Sequence, residues 1–459
     1  MKYTFITTVI CIVLITYFAP VVGQTVESKQ DSSSTELQQL KEQLEKLKAE
    51  HELKLQELEK LINDITAKME KAEQEDELQK LLEEAKQLES VERTEETGIG
   101  KRFHTGVRVQ QKLNPNISVG GDFFGAFSTS KGDFVSEPSD LSYGNNGFKM
   151  REMELQLNAP LDPFTRGKTF ISITKEEIAI EEAYMEWLNL PMNMNLKAGI
   201  FYAEFGALNR WHDHALPQFD RPKALVNLFS NAGLSGFGFS SNFMLPQLLF
   251  ADANMLDIAI INGGNGFSFT DTGKDRLIYV GHFKNYYDLS RDAYIEWAVS
   301  GAAGKNDPAE KYNSYVGSFN ITYKWVPVGR SKYRTVDWRT EFLFGVRETP
   351  VDSLAVSTKN INSIGFYTTL QNKLNAKYWL SGRIGYSELP YNNKQSEWDF
   401  TTCLDYWQSE FVFIRFQYQY NIRNFDNDVI LGYPGVYPND NSFLIHFCWA
   451  MGPHKHEAY

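Results

Sequence analysis

Within the segment from Phe411 to Tyr420, Ile414, Phe416, Tyr418 and Tyr420 alternate with Arg415, Gln417 and Gln419. A two-residue period puts each set on its own face of a β-strand. The same split recurs along the chain. Phe103, Thr105, Val107 and Val109 oppose His104, Arg108 and Gln110; Phe319, Ile321, Tyr323 and Trp325 oppose Ser318, Asn320, Thr322 and Lys324. Trp338, Phe342, Phe344 and Val346 oppose Asp337, Arg339, Glu341 and Arg347, and Trp398, Phe400, Leu404 and Tyr406 oppose Glu397, Asp399, Thr401 and Asp405. Candidate strands fall near 103, 116, 148, 168, 179, 194, 234, 254, 276, 292, 314, 335, 361, 375, 398, 410 and 442. A closed barrel of this kind uses an even number of strands, so the pattern predicts 16, with 18 as its neighbour.

A soluble sandwich shares the period but hides its apolar face. Here that face carries Trp325, Tyr378, Trp379, Tyr386, Tyr406, Trp407 and Tyr420 at strand ends, where amphipathic rings suit the two edges of a bilayer. The expectation is an all-β transmembrane antiparallel barrel over residues 101–459, apolar towards lipid and polar towards an aqueous channel. Its lumen-lining charges would be Arg108, Arg151, Glu152, Glu154, Lys324, Arg339, Glu341, Arg347, Arg383, Asp399 and Arg415. Both signs occur together, which predicts weak selectivity.

Before residue 100 the pattern is different. Residues 1–23 hold Lys2, an apolar stretch from Phe5 to Ala19 and the small Gly23, the arrangement of a secretory signal peptide. A short polar linker, 24–34, follows. From Thr35 to Ser90 there is no Pro or Gly, and Leu37, Leu40, Leu44 and Leu47, then Leu55, Leu58, Ile62, Ile65, Met69 and Ala72, keep heptad spacing. The seam slips at His51 and resumes, a stutter that locally unwinds a supercoil. Residues 35–90 are therefore expected to form an oligomeric coiled coil about 80 Å long, joined to the barrel by a linker at 91–100.

Composition narrows the function classes. Mean hydropathy is −0.38, with no internal apolar run long enough for a spanning helix, which excludes a polytopic helical membrane protein. The net charge of −12 argues against nucleic acid as a partner. Residues 25–96 alone carry −10 of it, and residues 97–459 only −3. Cys11 would leave with the signal, so only Cys403 and Cys448 remain, too few for a disulfide framework. No G-x-S-x-G elbow, phosphate-cradling glycine loop or CxxC pair is present, and Ser442 and His446 do not complete a triad, so no enzyme and no cofactor is expected.

One long segment between strands, Phe205 to Asn231, crowds charge, aromatic rings and proline into N-R-W-H-D-H-A-L-P-Q-F-D-R-P, residues 209–222. Folded inward it would narrow the channel, giving a constriction of Arg210, Trp211, His212, Asp213, His214, Asp220, Arg221 and Lys223. Arg210, Arg221 and Lys223 could hold anions, or pair with Asp213 and Asp220. His212 and His214 are metal-ligand types, but two histidines at this spacing are a weak signal. The plainer expectation is a loop fixed by Trp211 stacking, Arg–carboxylate pairs and proline, without metal.

The runs G-F-K-M-R-E-M-E-L-Q-L (147–157) and L-K-A-G-I-F-Y-A-E-F-G (196–206), the 209–222 segment and the exported helical arm resemble bacterial outer-membrane barrels related to the phosphate-selective porins. The resemblance covers roughly residues 100–459. It implies a trimeric 16-stranded pore in the outer membrane, with the coiled coil in the periplasm. The near-neutral body lacks an Arg/Lys ladder, a departure that bears on phosphate selectivity. The expected function is passive diffusion of small hydrophilic solutes or ions, anions such as phosphate among them. The alternative is a structural envelope protein whose barrel anchors the coil as a tether.

Overall fold

A computed structural model describes residues 115–129, 146–351, 357–426 and 438–452. The signal peptide, both linkers, the coiled coil, the strand expected near 103, Arg108 and the tail beyond 452 lie outside the described residues. Sixteen strands run in chain order: β1 (Asn116–Ser128), β2 (Gly147–Pro160), β3 (Thr165–Ile173), β4 (Ile178–Leu190), β5 (Met194–Tyr202), β6 (Ser235–Leu245), β7 (Ala253–Asn262) and β8 (Leu277–Ser290). They continue as β9 (Ala293–Lys305), β10 (Asn313–Trp325), β11 (Thr335–Pro350), β12 (Thr358–Lys373), β13 (Tyr378–Leu389), β14 (Asn392–Ser409), β15 (Val412–Asn424) and β16 (Asn439–Met451). Each pairs antiparallel with its sequence neighbour, and β1 closes on β16 from Val119↔Met451 to Ser128↔Ser442. The result is a closed 16-stranded antiparallel barrel, and every candidate strand except that near 103 corresponds to one of its members. No helix among the described residues is long and apolar enough to cross a membrane.

The alternation sorts as expected. Trp338, Phe342, Phe344, Phe416 and Tyr418 are exposed on the outer wall, while Asp337, Arg339, Glu341, Arg415 and Gln417 are buried inside. Two of the aromatic residues assigned to the outer rim point the other way. Trp379 and Trp407 sit one residue out of step with Tyr378 and Tyr406 and line an internal cavity.

The interior also differs from a uniformly wet lumen. The β5–β6 connection, residues 203–234, folds inward and carries a short helix, α1 (Lys223–Phe229), every residue of which is buried. Leu225, Leu228 and Phe229 join Phe201, Phe205 and Leu208 in an apolar cluster with inward-facing Ile261, Val280, Ala302, Val316, Leu343 and Tyr367. Along this arc the inner wall is apolar because it faces protein instead of water. Phe205 meets Phe229 edge to face at 5.1 Å. The next residue, Gly206, has φ +59, and a Cβ there would collide with the Glu341 carboxylate. That carboxylate accepts from the Ala207 amide at 3.0 Å, so the F-G pair marks where the chain must turn tightly against the wall.

Candidate functional site

The eight residues expected at a constriction all lie on the inserted segment, and six of them are buried in the barrel: Trp211, His212, His214, Asp220, Arg221 and Lys223. Arg210 and Asp213 keep more contact with solvent, with side chains 40% and 42% exposed. The cations among them hold the loop together. Arg221 donates to the backbone carbonyls of Leu208, Asn209 and Trp211 and lies 3.3 Å from Asp213. Arg210 pairs with Glu204 at 2.7 Å. Burial would raise the Glu204 carboxyl, but Arg210 and Lys197 hold it down near 2. The expected Trp211 stacking is also present, with the Arg339 guanidinium 4.6 Å from the ring centroid. Both arginines are paired within the protein.

Asp220 reaches the far wall. Its carboxylate accepts from Arg383 at 2.7 Å and from Gln417 at 3.1 Å, while Arg383 also holds Asp399 at 2.7 Å. Burial favours the neutral acid, yet Arg383 and Lys223 keep the Asp220 carboxyl below its ordinary range. Arg415 is forked onto Asp405 at 2.8 and 3.0 Å and reaches the Leu216 carbonyl at 3.1 Å. Of the other expected lumen charges, Lys324 and Arg339 share Asp337, and Arg347 donates to the carbonyls of Phe267 and Asn306.

A second cluster lies on β2 and β4, on the other side of β1 from β16. His212 Nδ1 is 2.8 Å from Glu181 and 3.2 Å from Glu154, and its Nε2 is 3.2 Å from Glu182. His214 Nδ1 stands 3.6 Å from the same Glu154 oxygen. Ionised carboxylates only accept, so the arrangement favours the form of His212 protonated on both ring nitrogens. Burial alone would lower its pKa, but the three carboxylates push it well above the ordinary value. Glu152 completes the patch, accepting from Ser172 at 2.5 Å.

Two β-bulges create this concentration. The β1–β2 register shifts between Asp122 and Phe123 and skips Arg151, so Arg151 and Glu152 both turn inward. The β3–β4 register shifts between Phe170 and Ile171, which places Glu181 beside Glu182 on the lumen side. Glu181, Asp122 and His446 were not among the sequence candidates. Asp122 holds His446 at 2.6 Å, and Arg151 lies 3.6 Å from Asp122 with its guanidinium 3.4 Å over the Phe219 ring. Cys403 and Cys448, buried on β14 and β16, are not joined by a disulfide.

The barrel ends differ. Connections such as 291–292, 374–377 and 410–411 make a short-turn end; 203–234 belongs to the other. A cavity of about 890 Å³ opens at the short-turn end, lined by Lys332, Lys373, Lys377, Trp379, Trp407, Glu410 and Arg415 and floored by Trp211, His214, Ala215 and Leu216.

No family model matches the chain, so the likeness to phosphate-selective porins remains a resemblance. An uncharacterized protein of Aquifex aeolicus (strain VF5) is 25% identical over 349 residues, covering 68% of this chain and 70% of that protein. Among solved structures, the outer membrane channel DcaP of Acinetobacter baumannii covers 73% of this chain and 97% of its own at TM-score 0.50 and 12% identity. OprB of Pseudomonas putida covers 76% and 96% at TM-score 0.47 and 9% identity. At such identities DcaP is similar in fold, and the chain is of the closed 16-stranded barrel class.

Proposed function

We propose that this protein is an outer-membrane channel for small hydrophilic solutes, with its conducting width set by segment 203–234. The observation that carries the reading is a closed barrel whose exposed outer wall is apolar and whose interior is polar over β13–β16. Such a wall is stable only against hydrocarbon, and closure leaves no unpaired strand edge there. DcaP, which has the same fold, is an outer membrane channel. The signal sequence supports export, the heptad arm supports an oligomer, and the resemblance to the porin family makes that oligomer a trimer with its coil in the periplasm.

The 890 Å³ cavity would be the vestibule. Arg415 is neutralised by Asp405, which leaves Lys332, Lys373 and Lys377 facing Glu410 and favours anions, phosphate among them. Lys373 sits 4.9 Å from the Trp379 ring, which holds the ammonium at the cavity wall. Planar-bilayer recording of the purified protein tests the reading: discrete channels are expected, with a reversal potential favouring anions that moves towards zero in Lys373→Ala and Lys377→Ala. Absence of channels from correctly folded protein would defeat it.

A further inference from the structure

Glu154, Glu181 and His212 bring an imidazole nitrogen and two carboxylate oxygens within 4.8 Å of one another. We propose that these three side chains bind a first-row divalent cation such as Zn²⁺, which clamps the inserted segment to β2 and β4. This goes beyond the channel reading and does not depend on conduction.

Sequence spacing alone made His212 and His214 a weak signal, and the fold supplies what it lacked. Metal bonds of about 2.0–2.2 Å to His nitrogen and carboxylate oxygen place tetrahedral ligands about 3.3 Å apart. His212 Nδ1 lies 3.2 Å from Glu154 Oε2 and 2.8 Å from Glu181 Oε2, so small side-chain movements admit an ion in place of the Nδ1 proton, which leaves to solvent. The other nitrogen is already oriented: Nε2 faces the Glu182 carboxylate, which also accepts from the Tyr202 amide at 3.0 Å. A carboxylate behind a histidine fixes its tautomer and strengthens it as a ligand.

His214 lines both the 890 Å³ cavity and a void of about 10 Å³ bounded by Glu152, Glu154, Asp122 and Cys448. That void, about the size of one water, meets the site at Glu154. Imidazole with carboxylates favours Zn²⁺ and its first-row neighbours over Ca²⁺ and Mg²⁺. The nearby trio Asp122, His446 and Cys448 is the poorer choice, because the Arg151 guanidinium 3.6 Å from Asp122 repels a cation.

The test is calorimetric titration of chelator-treated, full-length protein in detergent with Zn²⁺, and with Ca²⁺ for comparison. One saturable Zn²⁺ per chain is expected at this site, with no comparable Ca²⁺ binding. Affinity should fall at least tenfold in His212→Ala and Glu181→Gln and stay unchanged in the tail variant His454→Ala/His456→Ala. The Glu181 side chain is 22% exposed, so Glu181→Gln tests the site even if His212→Ala does not fold. Visible absorption of bound Co²⁺ should be lost in Glu154→Gln. Zn²⁺ binding that is absent, or equally tight in Glu181→Gln and wild type, overturns the proposal.

Discussion

The inserted segment rests against two polar walls, separated in the barrel by β1 alone, of opposite construction. On β13–β16 each guanidinium has its own acids: Arg383 with Asp399 and Asp220, Arg415 with Asp405, Arg423 with Glu397 and Asp440. The ladders there run without a bulge through the middle of the strands. On β2–β4 two bulges gather Glu152, Glu154, Glu181 and Glu182 around imidazole rings. Matched pairs in regular strands fix the segment in place. Carboxylates crowded by extra residues concentrate a field that rewards a positive occupant, a cost in stability that a purely structural wall need not bear.

The sharpest way to break this contrast is Arg383→Ala, which strands two buried carboxylates, Asp220 and Asp399, beside the segment. Leaving a buried partner uncompensated costs about 3–5 kcal/mol, to be read from denaturant unfolding of the detergent-solubilised protein. A loss below about 1 kcal/mol, the size of an exposed pair, would mean that this wall does not anchor the loop.

Acid should act next. The Asp220 and Glu204 carboxyls both lie below their ordinary values in the folded protein, Glu204 near 2. Groups depressed in this way stabilise the fold above the unfolded pKa of about 4, and that contribution disappears as pH falls towards 2. Protease cleavage within 203–234 should therefore not increase between neutral pH and about 5, where protonated His212 adds to the hold on the segment, and should rise below about 4. Cleavage rising already near pH 6 would contradict the assignment.

The smallest effect belongs to the exposed edge of the bulged wall. Arg166 meets Glu186 at 2.6 Å, but its side chain is 48% exposed. Arg166→Ala should cost less than about 1 kcal/mol by the same unfolding assay. A loss equal to that of Arg383→Ala would show that burial is not what separates the two kinds of pair.

Most of the barrel was legible because a strand with one face in protein and one in an apolar exterior must alternate. Trp338, Phe416 and Trp398 announced the outside, and Arg339, Arg415 and Asp399 the inside. The site was legible only in part. Arg210, His212 and Asp220 marked the segment by their crowding, but the partners of His212 and Asp220 come from strands far away in sequence. The apolar inner arc of Val280, Val316 and Leu343 was hidden, since alternation cannot say whether an inward side chain meets water or a helix. The bulges left a trace: Ile178 and Ile180 point outward, yet Glu182, in the same parity, points inward. Phe148 and Glu152 show the same reversal. A parity flip inside one strand marks an extra residue, and following it would have found Glu181.

Asp220 leaves the chain between the fifth and sixth strands but is seated on Arg383 and Gln417, which arrive much later in the polypeptide. Its berth does not exist until the thirteenth and fifteenth strands are laid down. The container must therefore be assembled before its contents can be stowed, and a half-built cylinder holds this segment with none of its farthest moorings.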